Sequence, residues 1–168
     1  AKTATETAAE REAKIQKAEL EMRKMLQESA QSREQMQREL QQQEEQMNIS
    51  LEVDAAAKRR KQLELDQQKE QDQLQQQMDA AIKAEVQRQK QYFDAVENTK
   101  AARNRNYVKK NFTDANIDQS EIEKIQKQFE VLFQRLQEQQ KRARTDLVKE
   151  EFSSMRDYLQ NYGTYQQQ

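Results

Sequence analysis

The sequence predicts an all-α chain: a long helical hairpin or extended coiled-coil rod, with an elongated three-helix bundle, broken near 48–54, as the alternative. Three observations carry this. The 168 residues include no Pro and one Gly (Gly163), so almost nothing punctuates loops or strands. Gln, Glu, Lys, Arg, Ala, Met and Leu dominate, and all are strong helix formers. Opposite charges recur four residues apart with the acid first, as in Glu10–Lys14, Glu19–Arg23, Glu34–Arg38, Asp54–Lys58, Asp79–Lys83, Glu123–Lys127 and Glu138–Arg142. Each such pair supports a helix by ~0.2–0.5 kcal/mol.

The first element is a helix from about residue 3. Its apolar residues repeat every eleven positions: Met25, Met36 and Met47; Ile15 and Leu26; Leu40 and Leu51; then Leu63 and Leu74. Eleven residues make three turns at about 3.67 residues per turn, so the stripe runs nearly straight. "QMNISLEVDAAA" (46–57) weakens the pattern, because Asn48, Ile49 and Ser50 have mediocre helix propensity and Asp54 can cap a new helix starting at Ala55. A break there gives helices of about 3–47, 54–111 and 120–162. The near-absence of Gly and Pro and the continued spacing from Leu40 to Leu51 favour one helix over 3–111.

"NFTDANIDQSEIEKI" (111–125) is the strongest interruption. Counted as a twelve-residue calcium loop from Asp114, it puts Asn116 third and Asp118 fifth, as an EF-hand requires. The match then fails, with Gln119 where Gly is needed and Ile125 where a bidentate Glu is needed. Read as a turn, every residue has a use. Asn111, Asp114, Asn116 and Asp118 bond nearby backbone, and Ser120 with Glu123 forms a capping box.

From Ser120 the seam is heptad: Ile122, Ile125, Phe129, Leu132 and Leu136, thinning at Gln139 and Ala143. Val148, Phe152, Met155, Leu159 and Tyr162 resume it after a phase shift. Gly163 is placed to stop this helix, leaving "TYQQQ" to fray. All ten aromatic residues lie from Tyr92 onward, so the denser packing belongs to the C-terminal part. Residues 71–168 are therefore expected to form an antiparallel hairpin turning at 111–120, and 1–70 an amphipathic helix dependent on a partner. In that hairpin Ile122 to Phe133 would face Val96, Phe93, Val86 and Ile82, and Phe152 and Leu159 would reach Met78 and Leu74.

Function is bounded mainly by exclusion. Without Cys or His there is no thiolate or imidazole ligand and no Ser-His or Cys-His pair. The acids are spread evenly, with no Gly-rich phosphate loop, so no catalytic, metal or cofactor site is expected and the chain does not read as an enzyme. Basic and acidic residues number 29 and 30, which leaves no global field for nucleic acid. No apolar run approaches the ~20 residues of a membrane span, and no charged-then-apolar leader is recognised. A soluble or particle-associated protein is expected, with no small-molecule substrate.

Two weak partner-binding sets stand out. One is the stripe of Met25, Met36, Leu40, Met47 and Leu51. The other is Lys100, Arg103, Arg105, Lys109 and Lys110, with Tyr107 and Phe112 interleaved and no acid between Asn98 and Thr113. On a helix those cations divide between two faces, so counter-charges for an acidic partner helix explain them better than a nucleic-acid surface. The expected function is a structural element of a large assembly, packing through helices against copies of itself or other chains. The alternative is a dimeric coiled-coil adaptor recruiting its partner through the Met-bearing or basic face. In composition the chain resembles internal or ejection proteins of tailed phages and filament-associated proteins of cilia, a likeness that no motif carries.

Overall fold

A computed structural model describes residues 7–167. Among them there are three α-helices and no strand: α1 Ala8–Ser50, α2 Ala55–Arg103 and α3 Gln119–Gln167, with a single 3-10 turn at Asp114–Asn116. The chain is all-α, as the composition predicts. The helix start expected near residue 3 lies outside the described residues; α1 is capped by Thr7, whose hydroxyl accepts the Glu10 amide at 3.3 Å.

The single helix across 3–111 is corrected by the structure, which breaks at 51–54. Backbone and side chains cooperate there. The Glu52 amide closes onto the Ile49 carbonyl at 3.1 Å, and Asp54 Oδ1 accepts the Ala56 amide at 3.0 Å, the N-cap contact that starts α2. Lys61 Nζ reaches back to Glu52 at 2.7 Å. The eleven-residue spacing misleads at this point because Leu51 lies in the turn and Val53, 96% exposed, packs on nothing. The expected boundary at residue 70 falls inside α2, not between elements.

α2 ends at Arg103, eight residues before the expected Asn111, where Asn104 leaves the helix and accepts the Asn106 amide on its own side chain. α3 begins at Gln119, and Asp118 is its cap: Asp118 Oδ1 accepts the Ser120 amide at 3.0 Å and the Ser120 hydroxyl at 2.6 Å. Ser120 is therefore inside the helix, not its N-cap as the S-x-x-E spacing suggests. Gly163 does not stop α3 either; the helix continues to Gln167.

Contacts divide the chain into two compact units. The first is Ala1–Leu40 with Ala81–Glu123. In it α1 runs antiparallel to the second half of α2, with Glu28 paired to Lys83 at 3.0 Å and the Ala13 carbonyl accepting from Asn111 at 3.2 Å. Phe112 folds back from the loop edge-on to Phe93, ring centroids 5.6 Å apart, and Ile122 is buried at the start of α3.

The second unit is Gln41–Ala80 with Lys124–Gln168. Here the end of α1 pairs with the start of α2 through Gln42–Asp72 and Gln46–Gln62, both at 2.8 Å, and Ile49 and Leu65 are buried. α3 packs through Ile125, Phe129, Phe133, Leu136, Gln140, Ala143, Leu147 and Glu151, a three-four spacing. The seam thus turns on Phe133 and Gln140, where sequence spacing indicated Leu132 and Gln139. Its register differs as well. Gln140 bonds Gln67 and Glu151 pairs with Arg60 at 3.7 Å, so Phe152 lies far along α2 from Met78 and Leu74. With that register, α3 outruns the start of α2, which leaves Phe152 and Leu159 exposed.

Candidate interaction surfaces

α1 carries two faces within the first unit. Ala13, Leu20 and Lys24 are the only partly covered positions along it, and at about 100° per residue they share one side. Ile15, Met22, Met25, Leu26, Met36 and Leu40 are all exposed and lie within a sector about 100° wide on the opposite side. Met25 is 70% exposed. From Met25 to Gln41 no residue is even half covered. The apolar stripe read from the sequence is therefore present as a surface, and α2 does not cover it. Of the other stripe residues, Met47 is exposed on α1 in the second unit and Leu51 has left the helix altogether.

The basic set is not gathered into one patch. Lys100 and Arg103 occupy the last turn of α2, where cations complement the carbonyl end of the helix dipole. Arg105 lies in the following turn, and Lys109 and Lys110 in the non-helical run after it, all exposed. Only Lys100 and Lys110 converge, and they converge on an acid. Glu97 is buried, 4% exposed, and accepts hydrogen bonds from the Tyr107 hydroxyl and, at 3.3 Å, from the Lys110 amide. Lys100 Nζ stands 3.9 Å from the same carboxylate and 5.8 Å from the Tyr107 ring centroid.

This arrangement sets the charge states. The Tyr107 hydrogen bond, then the Lys110 amide and the two lysine charges, hold the Glu97 carboxyl below the usual carboxylate range despite its burial. The same bond and its burial raise the Tyr107 phenol. An ionised acceptor gripped by three donors is a latch that ties the loop to α2. It is a poor general acid, because its proton is already gone at neutral pH.

Above the latch, Phe93, Val96 and Phe112 floor an open groove of about 610 Å3, rimmed by Glu85, Arg88 and Glu121. Glu85 is held below its ordinary range by hydrogen bonds from Gln89 and then Arg88. The loop oxygens that resemble calcium ligands serve the backbone instead. Asn116 Oδ1 accepts the Thr113 amide and hydroxyl, both at 3.0 Å, and Asp118 Oδ1 caps α3.

The other uncovered surface belongs to α3 in the second unit. Val148, Phe152, Met155 and Leu159 are exposed, and Tyr158 and Tyr162 stack with centroids 6.3 Å apart. The expected phase shift is real: these residues sit about 100° round the helix from the Gln140–Leu147 seam.

Sequence reasoning missed Glu97, Tyr107, Gln67 and Gln140. A buried Glu or Gln in a chain this rich in both carries no local signal, because only the partner brought across by the fold distinguishes it. No family model matches the chain, and no curated protein or solved structure matches it. Among the described residues no helix is long and apolar enough to cross a membrane.

Proposed function

We propose that the chain is a non-enzymatic assembly protein, a helical element that packs against copies of itself or other chains in a large complex. An internal or ejection-type virion component and a filament-associated protein are the kinds of role it suits. One observation carries this reading: the apolar face of α1 points away from the face that meets α2. A helix whose apolar side chains stay in water gains nothing from them, whereas a neighbouring helix would recover roughly 25 cal/mol for each Å2 covered. The uncovered end of α3 supports the same reading. Sedimentation velocity of the intact chain across a wide concentration range is the test. Concentration-dependent growth into larger species is expected; a chain that stays strictly monomeric at every concentration would sink it. A discrete dimer that grows no further favours the adaptor, recruiting through its Met-bearing or basic face.

A further inference from the structure

The outward face of α1 has a spacing that selects its own partner. Met22, Leu26, Ser29, Arg33, Met36 and Leu40 succeed one another at intervals of four, three, four, three and four residues. That series reads the same in both directions about Gln31. We propose that α1 pairs antiparallel with α1 of a second copy, with the two-fold axis passing beside Gln31. This rests on the reading of the chain as an assembly protein and names the partner of that face.

The symmetry creates three layers, each made twice. Met22 faces Leu40, Leu26 faces Met36, and Ser29 faces Arg33. A two-fold interface requires that if one residue meets another, the second meets the first, and a palindromic seam satisfies this without any offset. Charge selects the direction. A parallel pair in register would stack Arg33 on Arg33 in the seam, which repels. The antiparallel pair gives each guanidinium the Ser29 hydroxyl, an acceptor. At the crossing the flanking residues are small, Ala30 beside Ala30 and Ser32 beside Ser32, so the helices can approach closely. The face is open in the structure, since every residue from Met25 to Gln41 is exposed. A seam of four apolar side chains per copy is small beside the ~800 Å2 per partner of a standard interface, so the pair is weak and forms at high local concentration.

The absence of cysteine makes the test clean. Ala30→Cys and Gln16→Cys are prepared separately in the full chain and treated with a short bis-maleimide at high protein concentration. In the antiparallel pair the two copies of position 30 lie side by side, while the two copies of position 16 lie about 45 Å apart along the axis. Covalent dimer is expected from Ala30→Cys and not from Gln16→Cys, and adding Leu26→Lys to Ala30→Cys should remove it. Leu26 is exposed, so circular dichroism should show that variant folded as before. Equal cross-linking at both positions would mean a parallel pair and overturn the proposal. So would dimer formation indifferent to Leu26→Lys, or no dimer from either cysteine. If the chain still self-associates in sedimentation with Leu26→Lys present, only this interface fails and the assembly reading stands through another face.

Discussion

Gln67 and Gln140 exchange hydrogen bonds across α2 and α3: each donates its side-chain amide to the other's main-chain carbonyl, both at 2.9 Å. Gln71 Nε2 donates to the Gln140 side-chain oxygen at 2.8 Å, so a buried polar layer is closed within the second unit. Such a layer adds little net stability when complete, but it penalises every register in which its members lose their partners.

Gln140→Ala should therefore destabilise the chain by about 1–3 kcal/mol, because it leaves the Gln67 carbonyl and Gln71 amide buried without partners. Gln67→Leu with Gln140→Leu should lose much less, or gain, while allowing α2 and α3 to slip. Urea unfolding reads the first effect. Distances between spin labels on α2 and α3 read the second, and a single sharp distance in the double variant would show that the glutamines do not set the register.

Asp118→Ala should cost about 1 kcal/mol, since it removes the oxygen that receives the first free amide of α3. Ser120→Ala should cost clearly less, because Ser120 is a helical residue whose hydroxyl only donates back to Asp118. The ranking is checked by urea unfolding of the two variants, and the reverse order would move the cap to Ser120.

Glu97 makes the loop respond to pH from the acid side. A carboxyl whose folded-state pKa lies below its unfolded value adds stability above the unfolded value and loses it as pH falls through the folded one. The Glu97 contribution is thus complete above the ordinary 4.5 and disappears in more acid solution. Tyr107 acts at the other end: its phenol is raised above 10.0, so its contribution is complete below 10.0 and lost as pH rises past the folded value. The NMR shift of the Lys110 amide should titrate with a midpoint below 4.5. In Tyr107→Phe the midpoint should move upward, and an unmoved midpoint would remove Tyr107 from the latch.

Gly163→Ala should stabilise α3 by up to about 1 kcal/mol, because Gly163 sits within the helix and a methyl group there meets nothing within 4 Å. A destabilised Gly163→Ala variant would show that the helix ends at Gly163 after all. Thermal melting of the two chains decides it.

The helices and the seam of α3 were legible because periodicity records which side of a helix is covered. The break at 51–54 was not, because its signal is a dip in propensity spread over Asn48, Ile49 and Ser50, set against a Leu40–Leu51 interval that continued by coincidence. The end of α2 at Arg103 was hidden for a different reason. Residues 104–113 are ordinary helix formers and turn formers mixed, and what takes them out of the helix is the distant grip of Glu97 on Tyr107 and Lys110. The α1 stripe was visible as a pattern, but spacing alone does not say whether the same chain covers it.

Only four apolar side chains are buried among the described residues: Ile49, Leu65, Phe112 and Ile122. Unfolding therefore releases little new hydrocarbon into water, and the heat capacity of unfolding should fall below the usual ~12–15 cal/mol/K per residue. The curve of stability against temperature is correspondingly shallow. Cooling toward freezing removes little, since there is little hydrophobic drive to fade, and warming should erode helix gradually over a broad range. The same scarcity lowers the urea sensitivity per residue, so a modest denaturation slope is a property of the native chain and not a mark of partial folding.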